Sequence, residues 1–121
     1  MNLFQQSTGK FTLADGTVVQ GYSGHGEGKD RPEMQDVKNV GPLPRGRYTG
    51  IQLFDPHPHV GAYAIELQPD PRNTMFGRSG FFVHGDSVQH PGGASDGCII
   101  LPHDARVAFW TSGDRVIEVF E

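Results

Sequence analysis

One cysteine and one histidine carry the chemistry that this sequence offers. Cys98 is the only cysteine among 121 residues, so it has no disulfide partner within the chain. It follows a Gly- and Ser-rich stretch, Gly92-Gly93-Ala94-Ser95-Asp96-Gly97, and opens an apolar run, Ile99-Ile100-Leu101. Fourteen positions earlier, His84 closes another apolar run, Phe81-Phe82-Val83, and precedes Gly85-Asp86. A thiol is a poor nucleophile until it ionises, and a neighbouring imidazole takes its proton and pairs with the thiolate. The expectation is therefore a nucleophile, Cys98, with His84 as its base and a depressed thiol pKa. Glycine before the cysteine lets a substrate carbonyl approach, and the N–H groups of Gly97 and Cys98 are the expected oxyanion donors. The Gly85 carbonyl or the Asp86 carboxylate would orient the imidazole, although Asp86 equally suits a turn. The competing reading of Cys98 is a small buried hydrophobe.

Two reactive groups need rigid supports, and the flanking pattern predicts strand ends. Strand signals dominate the chain. Leu3 to Gln6, Lys10 to Ala14 and Thr17 to Tyr22 read as an antiparallel meander, with a type I′ turn at Asp15-Gly16. Residues 23–46 read as loop. Arg47 to Phe54, Ala62 to Leu67, Phe81 to Val83, Cys98 to Leu101 and Arg115 to Phe120 read as further strands. One helix is expected from Pro102-His103-Asp104 to about Thr111, with an acidic first turn and Gly113 as its stop. The fold class is mainly β, a mixed sheet or β-sandwich with one short helix. Residues 1–121 read as a single domain without repeat or linker.

Composition narrows the partners. The net charge is -4 and the ten Lys and Arg are scattered, so nucleic-acid binding has no support. Seventeen glycines and nine prolines exceed a fifth of the chain and punctuate apolar runs, as in a turn-rich β protein. No apolar stretch approaches the ~20 residues that span a bilayer, and Met1 to Gln6 lacks the pattern of a signal peptide. No cofactor motif is present. Gly24-His25-Gly26-Glu27-Gly28-Lys29 fails as a phosphate loop because its glycine spacing is short and no Ser or Thr follows the lysine. His57-Pro58-His59 invites a metal reading, but no second paired motif has ligand spacing, so no metal site is assigned. His90, in a Gln-His-Pro loop, is the alternative base should His84 face elsewhere.

These residues resemble the L,D-transpeptidase (YkuD-type) superfamily, in which a strand-borne His-Gly precedes a Ser/Thr-His-Gly-Cys turn. His84-Gly85 and Ser95-Asp96-Gly97-Cys98 match with one substitution. The resemblance is closer to a branch of type VI secretion effectors with L,D-carboxypeptidase and exchange activity. Gly21-Tyr22-Ser23-Gly24-His25-Gly26, the run from Asn39 to Tyr48, His84-Gly85-Asp86 and Gly97-Cys98-Ile99-Ile100-Leu101-Pro102 all follow that branch.

The resemblance implies an L,D-transpeptidase-like catalytic domain acting on tetrapeptide stems of peptidoglycan. It implies catalytic roles for Cys98, His84, Gly85 and Gly97, and substrate contacts from His25, Asp86, Ser95, Asp96 and Arg78. Ser95 and Asp96 are equally expected to shape the turn. Two departures stand out. Asp96 replaces the second histidine, and Ile100 stands where many members have a carboxylate-binding arginine. Arg78, Arg72 and Arg45 are the candidates to inherit that role. The resemblance also implies secretion without a signal peptide through a carrier, action in the periplasm of target bacteria, and a cognate immunity protein. A non-catalytic peptidoglycan-binding module and, third, a zinc hydrolase are the competing functions.

Overall fold

The computed structural model covers residues 1–121. Nine strands form one mixed sheet: β1 (Asn2–Gln5), β2 (Lys10–Thr12), β3 (Val18–Gln20), β4 (Tyr22–Ser23), β5 (Gly46–Phe54), β6 (Ala64–Pro69), β7 (Phe82–His84), β8 (Ile99–Ile100) and β9 (Val116–Phe120). A single α-helix, α1 (His103–Thr111), lies between β8 and β9. The strand order is β3-β2-β1-β9-β5-β6-β7-β8-β4. Most neighbours are antiparallel, while β1–β9 and β7–β8 are parallel.

The expected third strand, Thr17 to Tyr22, is instead two strands separated by Gly21. Val18–Gln20 pairs with β2, whereas Tyr22–Ser23 pairs with β8. The two outermost strands of the sheet are thus one residue apart in the chain, and the sheet curls nearly into a barrel. Only glycine fits at the junction, since a Cβ at Gly21 would lie 2.3 Å from the Ile100 carbonyl oxygen. The loop expected over residues 23–46 contains two 3-10 turns, Gly26–Gly28 and Pro32–Met34.

The core lies between the curled sheet and α1. Phe4, Phe11, Tyr48, Ile65, Val83, Ile99, Phe109 and Ile117 are fully buried within it. Helix α1 has Asp104 in its first turn and ends before Gly113, which takes a φ of 83°. Its Phe109 ring meets Phe11 edge to face at 5.8 Å and rests against Gly50, where β5 shifts register. Any side chain at Gly50 would press on that ring. Val83 and Ile99 face this core, so the alternate residues of β7 and β8 are turned to the opposite side.

Phe109 anchors the only helix. Phe109→Ala removes a fully buried ring, and a loss of about 3–5 kcal/mol in unfolding free energy is expected by urea titration.

Candidate active site

The parallel pairing of β7 and β8 sets Val83 beside Ile99 and His84 beside Ile100. One step back in the same register places Cys98 beside Phe82. Their contact is direct, since the Phe82 N–H donates to Cys98 Sγ at 3.3 Å. With Val83 and Ile99 committed to the core, His84 and Cys98 emerge on the other face and line one cleft of about 310 Å³. Asn39, His57, His59, Ser79 and Asp96 also line it. His90 does not. It is exposed on the loop after Asp86, so His84 is the imidazole beside the thiol.

The His84 ring is held by its own neighbour. Nδ1 lies 2.9 Å from the Gly85 carbonyl, which can only accept, so the proton is on Nδ1 and Nε2 is free as a base. Gly85 has a second use. A Cβ there would come within 2.8 Å of the Arg106 guanidinium, which packs behind it. Arg106 donates to the Ala62 and Tyr63 carbonyls. Burial, and then the Arg106 charge, hold the His84 pKa below the ordinary histidine value, against the raising effect of the Gly85 bond.

The thiol departs from the expected depression. Burial pushes Cys98 up to about 11, and the Asp96 carboxylate adds to the rise. The Phe82 N–H and the Arg78 charge oppose it without reversing it. No hydrogen bond joins Cys98 to His84. Burial thus biases the thiol and the imidazole alike toward their uncharged forms.

The turn before Cys98 is built on a buried serine and a buried arginine. Ser95 is fully buried. Its Oγ accepts from the Gly24 and Gly97 N–H groups and donates to the Cys98 carbonyl at 2.7 Å. Of the two roles expected of Ser95, turn shaping is the one found, and the substrate contact is not. Gly97 is corrected in the same way, because its N–H is taken by Ser95 and is not an oxyanion donor. Its φ of 125° and the Arg78 Nη2 atom, 2.3 Å from where a Cβ would be, explain the glycine. The Cys98 N–H has no partner in the chain and remains available.

Arg78 is 5% exposed and does not line the cleft. Its guanidinium donates to the carbonyls of Gln35, Gly41, Pro42 and Asp96. It is a clamp, not a free carboxylate receptor. Arg72 pairs with Asp70 and Arg45 with Glu121, both away from the cleft. Asp86 is also placed elsewhere, accepting from Tyr22 OH, Ser87 N–H and Gly92 N–H. His25 is exposed outside the cleft lining. Of the expected substrate contacts, Asp96 alone faces the cleft. No three His, Cys, Asp or Glu side chains converge as metal ligands.

Residues 17–117 match the family described as the Tlde1 domain. The chain belongs to that family. This is the type VI secretion branch of the L,D-transpeptidase superfamily that the motifs around His84 and Cys98 resemble. Among solved structures, the Tlde1 domain is similar to an L,D-transpeptidase from Mycobacterium smegmatis, with a TM-score of 0.54 and 20% identity. The alignment covers 99% of this chain and 58% of that one, and it supports the mainly β L,D-transpeptidase-like fold. No curated protein matches in sequence.

The sequence reading passed over two cleft residues. His57 and His59 were weighed only as a metal pair. The signal available was a histidine-bearing tip between two long strands, which a hairpin folds back beside the next strand.

Two measurements test the site. Ser95→Ala leaves two N–H groups and one carbonyl without partners, so a loss of roughly 2–4 kcal/mol in unfolding free energy is expected. Iodoacetamide labelling of Cys98 should be slow at pH 7.5 and rise steeply only toward pH 11. Fast labelling at neutral pH would show an ionised thiol and overturn the neutral pair.

Proposed function

We propose that this Tlde1 domain is a peptidoglycan-directed cysteine L,D-carboxypeptidase that also exchanges the terminal D-amino acid. The observation that carries the reading is the shared cleft, with the free Nε2 of His84 and the Cys98 thiol on adjacent parallel strands. The family match and the L,D-transpeptidase-like fold support the substrate class.

The chemistry follows from the two neutral groups. Cys98 Sγ attacks the carbonyl of the L-centre diamino acid at stem position three while His84 Nε2 takes the thiol proton. Because the thiol does not ionise at rest, proton transfer and attack are coupled. The oxyanion is stabilised by the free Cys98 N–H. The C–N bond to D-alanine then breaks, and His84 returns the proton to the leaving amine. Water attacks the thioester, giving up its proton to His84, and the tripeptide departs as Cys98 regains a hydrogen. A free D-amino acid in place of water gives the exchanged tetrapeptide.

The biological role proposed is an antibacterial effector. It is made without a signal peptide, carried by the type VI apparatus and active in the target periplasm, while an immunity protein blocks the cleft in the producer. A non-catalytic wall-binding module is the second reading, favoured by the protonated thiol that no hydrogen bond links to His84.

Incubation with tetrapeptide muropeptides, followed by mass spectrometry, separates the two. Wild type should release D-alanine and, with an added D-amino acid, form the exchanged stem, whereas Cys98→Ala should do neither. His84→Ala should lower kcat about 10²–10⁴-fold. The acid limb of kcat/KM should lie below the ordinary histidine range, since only neutral His84 accepts the proton and its pKa is depressed. Binding without Cys98-dependent turnover would favour the wall-binding module.

A further inference from the structure

The cleft contains no arginine or lysine, yet a stem peptide ends in a carboxylate one residue beyond the scissile carbonyl. The arginines suggested for that carboxylate are all committed elsewhere, two of them in ion pairs at the surface and Arg78 beneath the turn. Something else in the cleft must meet that charge.

We propose that His57 recognises the terminal carboxylate of the stem peptide by donating from Nε2. The inference rests on the reading of the cleft as a stem-peptide site. His57 sits at the tip of the β5–β6 hairpin, where its backbone N–H and carbonyl pair with Gly61 at 2.8 and 3.0 Å. The tip is folded onto β7 by aromatic packing. The His57 ring is 4.7 Å from Phe82 and 5.0 Å from Phe54, both edge to face. Phe82 is the residue whose N–H touches Cys98 Sγ. The imidazole is therefore fastened to the wall that also holds the nucleophile.

Its tautomer is set by the turn. Nδ1 accepts from the His59 N–H at 3.1 Å and the Val60 N–H at 3.4 Å. Main-chain N–H groups only donate, so the ring proton resides on Nε2. Nε2 has no partner in the protein. A half-buried ring in the cleft thus presents one fixed donor, its own acceptor nitrogen being taken by the turn, and Asp96 is the one carboxylate that shares the cleft with it. The carboxylate lies within a few ångströms of the attacked carbon in a terminal D-residue, so the donor that meets it must line the same cleft as Cys98, as His57 does.

Binding to the Cys98→Ala protein isolates recognition from chemistry. The probes are a stem tetrapeptide ending in free D-alanine and the same peptide as its C-terminal amide, titrated by calorimetry. The acid should bind about ten-fold more tightly than the amide, as for a hydrogen bond to a charged group. His57→Phe, which keeps the aromatic packing, should reduce the acid to the affinity of the amide and leave the amide unchanged. His57→Gln, which restores an N–H, should recover part of the preference. Equal weakening of both peptides by His57→Phe would mean a packing role, and no effect on either would mean no contact. Either result overturns the proposal. Acid preference lost on His57→Phe, with no wild-type turnover, would leave it standing and sink the catalytic reading. Wild-type turnover without any acid preference would do the reverse.

Discussion

The guanidinium of Arg78 has no carboxylate partner, and the turn that carries Cys98 is assembled around that fact. A desolvated cation is tolerated only when its donors are satisfied. Here four main-chain carbonyls meet the charge, those of Gln35, Gly41, Pro42 and Asp96. Three come from the long loop before β5 and one from the turn before Cys98. The cation thus ties two segments that share no strand pairing. Its packing on Phe81, with 5.4 Å between guanidinium and ring, fixes it from the side of β7. The absence of a side chain at Gly97 makes room for this buried group, since a Cβ there would lie 2.3 Å from Arg78 Nη2.

Burial also sets the character of the reactive pair. It raises the thiol and lowers the imidazole, so each is driven toward its uncharged form. Two neutral groups are cheaper to desolvate than an ion pair, which suits a cleft walled by Phe81 and Phe82. The same bias leaves little thiolate at rest, and thiolate is the form that oxidants attack. A cysteine kept protonated in this way is the less open to oxidation.

Local patterns exposed much of this architecture. The alternating apolar runs marked most strands, and Asp104 with Gly113 bracketed the helix. The His-Gly and Gly-Cys strand ends marked two side chains that the structure brings to one cleft, because strand termini hold side chains at a fixed height. The division at Gly21 was not legible, since it depends on the Ile100 carbonyl approaching from 79 residues away. Arg78 reads as a substrate contact, and Ser95 equally as a substrate contact or a turn former, because a sequence does not distinguish a polar group facing a ligand from one facing main chain. His57 was overlooked for a related reason. Its meaning comes from a hairpin folding back on Phe82, not from its neighbours in the chain.

Asp86 closes the neck of a small excursion. Its carboxylate takes the N–H groups of Ser87 and Gly92 together with Tyr22 OH, so residues 87–91 leave the fold and return at almost the same point. Val88, at 96% exposed, marks how far that excursion stands from the body. His84 and Cys98 lie on either side of it, yet their spacing is dictated by the β7–β8 ladder. Only residues 87–91 of the intervening chain stand outside that constraint, since the turn before Cys98 is fixed by Ser95 and Arg78. Changes of length or sequence within residues 87–91 would therefore alter the outer surface while leaving the β7–β8 pairing in place.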